Sequence, residues 1–122
     1  MSFDSILLQV LGECPGALGA ALLGSDGLPI AQATAPGPPE LEDEVAVLGV
    51  EFGRILDEAR KAAAAASAGA TLELAVRTER FHVLVQVVDR ETYLVLVLGS
   101  DGNVGKGRYL LRRQLLAIRQ EL

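Results

Sequence analysis

The sequence predicts one α/β domain of the α+β type, built on a five-stranded, antiparallel-rich sheet flanked by helices. Three observations lead to this fold class. The predicted order of elements is helix, two strands, long helix, three strands, helix. An Asp-Gly turn at residues 26 and 27 and short links later in the chain join neighbouring strands as hairpins. The run Leu94–Leu98 is wholly apolar, which is typical of a central strand covered on both faces.

Composition limits the classes of protein to which the chain can belong. A length of 122 residues with 50% apolar and 22% charged residues predicts one globular domain, residues 1–122, with its own core. A net charge of −5 with few aromatic residues argues against a nucleic-acid partner. The start of the chain lacks the pattern of a signal peptide, and no apolar run approaches the roughly 18–20 residues of a membrane span. We therefore expect a cytoplasmic protein without membrane insertion.

The first three elements are a helix and a hairpin. Residues 3–12 place apolar side chains at helical spacing, and Pro15 and Gly16 end that helix. Residues 17–23 and 28–32 then read as two strands around the Asp-Gly turn. A loop rich in Pro and Gly follows at residues 34–39.

A long helix is predicted from about residue 41 to 67, with Gly69 as its C-terminal cap. Acidic residues crowd its first turn, where the helix dipole favours negative charge. Its predicted core stripe consists of Leu41, Val45, Leu48, Phe52, Ile55, Leu56 and Ala59. Apolar residues also lie off this stripe, at Val47 and Val50. The helix therefore has a second apolar face, which packing against a single core does not require.

Three strands and a helix complete the chain. Residues 71–78 alternate apolar with polar or small side chains, as a half-buried strand does, and residues 81–89 and 94–98 read as two further strands. The last helix, from about 105 to 120, buries either Tyr109 or Leu110 together with Leu111, Leu115 and Ile118.

The whole chain resembles the Roadblock/dynein light-chain family, and in particular its bacterial MglB-like members, which accompany Ras-like GTPases. The resemblance rests on the order of the elements and on the segment 15–31, PGALGAALLGSDGLPIA. It implies a sheet of strand order 2-1-5-4-3, with the middle helix on one face and the terminal helices on the other. That order makes Leu94–Leu98 central, and it places the strands that contain Pro29 and residues 71–78 at the two edges.

One of these predicted edges is protected against pairing and the other is not. Pro29 removes a backbone donor from its edge, whereas residues 71–78 contain no Pro, Gly or Lys. In a homodimer paired about Ala75, Glu73 would lie opposite Arg77 of the second chain. The predicted dimer interface combines this strand with the second apolar face of the long helix: Leu72, Glu73, Leu74, Ala75, Val76, Arg77, Val47, Val50 and Gly53.

The sequence offers little for catalysis. Residues 99–107 form a glycine-rich segment between a strand and a helix, but Ser100 and Gly107 occupy two positions where a phosphate loop needs Gly and Ser or Thr. A flexible strand-to-helix turn is the expected role. The single cysteine, Cys14, and the single histidine, His82, are expected to be packed rather than to act as nucleophile and base. We expect no catalytic residues, no metal site and no cofactor.

The resemblance implies a non-catalytic homodimeric regulatory or scaffold protein that binds a small Ras-like GTPase and modulates its nucleotide cycle or localisation. Candidate partner-binding residues are Glu42, Asp43, Glu51 and Arg54 on the long helix. One alternative is a small-molecule sensor domain with a pocket near His82 and Gln86, which share one strand face. Another is a structural adaptor in a larger assembly without a GTPase.

Overall fold

The computed structural model describes residues 2–122, which form three helices and one five-stranded antiparallel sheet. The strand order is 2-1-5-4-3, and the predicted fold class is confirmed. In chain order the elements are α1 (Phe3–Glu13), β1 (Ala17–Gly24), β2 (Pro29–Thr34), α2 (Glu40–Ala65), β3 (Glu73–Arg77), β4 (Phe81–Val87), β5 (Thr92–Gly99) and α3 (Val104–Glu121).

The sheet separates two hydrophobic clusters. Beneath α1 and α3, side chains such as Ile6, Val10 and Leu111 pack against one face of β1, β4 and β5. Beneath α2, Val45 and Leu56 pack against the other face. Strand β5 contributes alternate side chains to both clusters, which is why its sequence is apolar without interruption.

The helix boundaries follow from local capping. The Ser2 hydroxyl accepts a hydrogen bond from the Ser5 amide at the start of α1, and the Asn103 side chain accepts one from the Lys106 amide at the start of α3. In α3 the buried residue is Leu110, whereas Tyr109 is exposed with Lys106 against its ring. The alternative that the sequence left open at Tyr109 and Leu110 is thereby resolved.

The C-cap of α2 is Ala66, and the left-handed residue that follows it is Ser67 and not the predicted Gly69. The amide of Ser67 donates to the Ala64 carbonyl at 3.1 Å, and that of Ala68 donates to Ala63 at 2.8 Å. This is the hydrogen-bond pattern of a Schellman motif, which requires a left-handed residue directly after the helix. Ser67 supplies it with a φ of 53°. Gly69, at φ +88°, lies beyond the motif.

Replacing Ser67 by glycine should therefore stabilise the protein by about 0.5–1 kcal/mol, because glycine has no Cβ to disfavour the left-handed conformation. The measurement is the midpoint of urea unfolding at a fixed protein concentration. Ala64→Gly, three residues earlier on the exposed surface of the helix, is the matched control. It should destabilise the protein by about as much as Ser67→Gly stabilises it. A Ser67→Gly variant no more stable than the parent would show that the motif is not strained.

Candidate interaction surface

The glycine-rich segment between β5 and α3 is bound to the turn between α1 and β1. Three of its backbone amides are occupied: Gly99 donates to Gly16, Asn103 to Pro15 and Gly102 to Gly99, at 2.9–3.1 Å. The segment is the expected strand-to-helix turn, and these hydrogen bonds tie it to the α1–β1 turn at several points. A phosphate loop needs such amides free to point at a ligand.

The two candidate nucleophile and base residues are each engaged locally. Cys14 is buried, and burial raises the pKa of its thiol, with the charge of Lys106 opposing that effect. The Nε2 of His82 lies 3.3 Å from the carbonyl oxygen of Ser100. Within residues 2–122 no three His, Cys, Asp or Glu side chains converge in a way that could hold a metal ion.

His82 and Gln86 lie on the α3 side of β4, but neither faces an open site for a small molecule. Gln86 is only 6% exposed, and its amide donates to the carbonyl of Leu72 at 3.1 Å. The hydrogen-bonding groups that the sensor hypothesis needs are thus used within the protein. Buried side-chain amides normally find such partners.

Strand β3 forms an edge of the sheet, and the backbone hydrogen-bonding groups of alternate residues point away from β4. The Val87 amide donates to Leu72, and the Thr78 amide donates to Phe81. In an antiparallel ladder this places the backbone groups of even-numbered residues 72–78 toward β4. Those of Glu73, Ala75 and Arg77 consequently point outward.

The polar side of β3 is already paired within the chain. Both carboxylate oxygens of Glu73 are bound by α3, one by the Arg108 Nε and one by Arg112 at 3.1 Å. A pair between Glu73 and Arg77 of a second chain would therefore share a carboxylate that two arginines hold. Cross-strand charge can contribute little to the register, which leaves backbone pairing and apolar contacts to determine it.

The three α2 residues that the sequence assigned to a dimer interface lie in different surroundings in the structure. Val47 is 59% exposed on the solvent side, and Val50 lies toward the β1–β2 turn. Gly53 is buried against Tyr93, whose hydroxyl donates to the Gly49 carbonyl at 3.1 Å. Gly53 therefore serves packing within one chain, because a Cβ there would meet the Tyr93 ring carbon Cζ at 2.5 Å.

The flank of α2 that faces β3 carries different apolar residues, Leu48 and Ile55. The sequence placed both in the core stripe, but Leu48 is only half-buried and Ile55 is 43% exposed. Their spacing of seven residues puts them one above the other at the margin of that stripe. Their position at the margin of the stripe is the feature of the sequence that could have indicated this partial exposure.

Helix α2 runs antiparallel to β3. Arg80, after β3, donates to Glu44 at 2.9 Å, whereas Leu72, before β3, lines a cavity with Arg60 and Ala64. Val45 packs on Gly19, in the row of Val76, and Gly53 packs on Tyr93, in the row of Leu72, which places Leu48 about level with Ala75.

The candidate partner-binding residues occupy the exposed surface of α2. Arg54 donates to Glu51 at 3.1 Å, and these two side chains together with Asp43 lie on the face turned away from the sheet. Glu42 is displaced from them toward β2, where its backbone carbonyl accepts from Gln32. In the part of the chain that the structure describes, no helix is long and apolar enough to cross a membrane.

No protein-family model matches the chain, and no curated protein matches it. Among solved structures, it is similar to MglC from Myxococcus xanthus, with 34% sequence identity over 100% of both chains and a TM-score of 0.71. A Roadblock/LC7 domain from Streptomyces avermitilis matches with 16% identity over 99% of this chain and 98% of its own, at a TM-score of 0.85. A structure of MglB with a tetrameric arrangement matches with 24% identity over 95% of this chain and 84% of its own, at a TM-score of 0.80.

Proposed function

This chain belongs to the Roadblock/dynein light-chain family as an MglB-like member, and on that premise we propose that it is a homodimeric, non-catalytic regulator that binds a small Ras-like GTPase. One observation carries the homodimer, whereas the GTPase partner rests on the likeness to MglB and MglC. The outward-pointing edge of β3 adjoins the half-covered apolar flank of α2, so that a second copy would cover both at once. An unprotected edge next to exposed apolar side chains is typical of an interface.

The proposed dimer pairs β3 with itself about Ala75. The backbone groups of Glu73, Ala75 and Arg77 point outward, as this pairing requires, and would continue the sheet into the second copy. Leu74 and Val76 project to the α2 side, where they are half-buried at present. A neighbouring copy would remove the remainder of these side chains from water.

The two α2 helices would cross on the same two-fold axis. Because Leu48 lies about level with Ala75, the Leu48 side chains of the two copies would meet near that axis. Ile55 of each copy would then adjoin the first turn of α2 in the other copy. MglB, a structural relative with a tetrameric arrangement, supports self-association.

The proposed GTPase-binding surface is the solvent face of α2 around Glu51 and Arg54, with Asp43 at its edge. Dimerisation would double this surface, in which Arg54 and Asp43 face away from the sheet and Glu51 borders Ile55 on the flank. Binding would alter the nucleotide cycle through unequal affinity for the two nucleotide states of the GTPase. Arg54 is paired with Glu51, so we infer that any stimulation of hydrolysis acts by ordering the GTPase's own groups.

Affinity capture from the native lysate tests this function, in parallel with GDP and with a non-hydrolysable GTP analogue. We expect mass spectrometry to identify a small Ras-like GTPase preferentially with one nucleotide. Arg54→Glu, which reverses a charge at the centre of the surface, should lower its recovery about tenfold, corresponding to about 1.4 kcal/mol of binding free energy.

Lys106→Glu is the matched control, because Lys106 is exposed on α3, at the opposite face of the sheet. It should capture as much GTPase as the unmodified protein. Recovery of a different stable partner, with no GTPase in either nucleotide arm, would contradict the proposal in favour of an adaptor. Equal losses for Arg54→Glu and Lys106→Glu would place the binding surface elsewhere.

A further inference from the structure

The outward surface of α3 differs in charge from the rest of the chain. The helix carries five basic residues and one acid, Glu121, whereas the chain as a whole has a net charge of −5. Two of these bases, Arg108 and Arg112, share the single carboxylate of Glu73, which cannot neutralise both. An excess of positive charge therefore lies along α3 on an otherwise acidic protein.

Two large apolar side chains lie exposed along the middle of this surface. Tyr109 is 55% exposed and Leu116 is 65% exposed. Their spacing of seven residues puts them one above the other, on the side of α3 opposite its buried residues Leu111 and Ile118. They form an apolar row that is one side chain wide and about 10 Å long.

One arginine borders this apolar row on each side. Arg112 extends toward β3, where it binds Glu73 at 3.1 Å while its side chain stays mostly exposed. Arg113 extends toward α1, where it binds Glu13, and its guanidinium carbon lies 5.6 Å from the centre of the Tyr109 ring. The surface formed by the row and its two arginines is called the α3 stripe and consists of Tyr109, Arg112, Arg113 and Leu116.

We propose that the α3 stripe binds an acidic amphipathic helix of a partner protein. Two apolar side chains of that helix, seven residues apart, pack on Tyr109 and Leu116, and acidic side chains beside them pair with Arg112 and Arg113. Each guanidinium already binds one carboxylate and has further N–H groups with which to bind a second. The stripe lies on the face of the sheet opposite α2, so it is separate from the proposed GTPase-binding surface.

The surroundings of the α3 stripe favour a narrow partner over a flat anionic one such as a lipid bilayer. Helix α1 lies beside α3 in the same layer, and its residues 3–13 include Asp4 and Glu13 but no base. A bilayer would contact both helices and bring its negative charge close to these carboxylates. A single helix lying along α3 contacts the stripe and leaves α1 in water.

Fluorescence anisotropy with a labelled synthetic peptide tests this inference. The peptide has about 15 residues, is held helical by a hydrocarbon staple, and carries two leucines seven positions apart with glutamates on both sides of them. We expect it to bind, more weakly as salt is added, and a peptide with lysine in place of each glutamate not to bind. Leu116→Glu should lower the affinity for the acidic peptide at least about tenfold, because it removes apolar contact and adds a repelling carboxylate.

Val47→Glu is the matched control, because Val47 is an apolar side chain of similar exposure on α2, at the opposite face of the sheet. It adds the same charge and should leave the affinity for the acidic peptide within about twofold. An acidic peptide that does not bind, or equal losses for Leu116→Glu and Val47→Glu, would overturn the proposal. Tighter binding to vesicles of phosphatidylserine and phosphatidylcholine than to the acidic peptide would also overturn it, in favour of a membrane surface.

Discussion

Replacing Gly16 by alanine is expected to lower the free energy of unfolding by about 3 kcal/mol. Gly16 has a φ of +82°, a conformation that costs a residue with a Cβ about 1 kcal/mol or more. A Cβ at this position would also lie 2.5 Å from the Cα of Gly102. Because both atoms belong to the backbone, no side-chain rotation can relieve the overlap, and overpacking of this kind adds about 1–3 kcal/mol.

The consequence would extend to both segments that meet at this point. The Gly16 carbonyl accepts from Gly99 and the Pro15 carbonyl accepts from Asn103, so displacing the α1–β1 turn also pulls on the start of α3. Urea unfolding of Gly16→Ala at fixed protein concentration measures the effect.

Gly12→Ala provides the control four residues earlier. Gly12 lies within α1, and a Cβ there would meet nothing within 4 Å. Alanine at a helical position should instead stabilise by about 0.5–1 kcal/mol. If both variants changed stability in the same direction and by similar amounts, the close approach of Gly16 and Gly102 would not limit the fold.

Ala75→Pro should convert the protein from a dimer to a folded monomer. The Ala75 amide points away from β4, so its loss removes a donor from the proposed interface and none from the ladder within the chain. Proline also fills the outer edge with its ring, which opposes approach of a second strand. Light scattering coupled to size exclusion gives the mass, and circular dichroism shows whether the monomer keeps its fold.

Two further substitutions separate pairing from general damage. Ala75→Ser keeps the amide and should remain dimeric. Val76→Pro removes an amide that faces β4, so it should destabilise the monomer as well. An Ala75→Pro protein that is folded and still dimeric would exclude edge pairing at β3.

The strand order, and with it the two edges, was anticipated through the family resemblance, and patterns of several residues agree with that order. The unbroken apolar run of β5 requires cover on both faces, and Pro29 belongs on an edge strand; the structure has both features. The helix faces were anticipated through the family resemblance. Predictions of these features stay correct even when the boundaries of an element are misplaced by one or two residues.

The features that the sequence did not predict correctly depend on the rotation of one helix about its axis and on close contacts between individual residues. Whether Ile55 belongs to the core or to the flank depends on how α2 lies over the sheet, and its position at the margin of the stripe allows both. Gly53 looked like a surface for a second helix because the sequence does not reveal that Tyr93 reaches it. Ser67 was missed because glycine is the common left-handed residue, and Gly69 stood two positions later.

The two edges of the sheet differ in a way that limits how far assembly can proceed. At the β2 edge, Pro29 lacks an amide, and the ladder to β1 shifts register between Leu22 and Leu23. In the terms of polymer chemistry, a chain that offers one reactive end is a monofunctional monomer, and its growth stops at two units. Pairing through β3 would therefore give an open sheet of ten strands whose two outer edges are both blunted. Raising the protein concentration would increase the fraction of dimer and would not extend the sheet into a fibre.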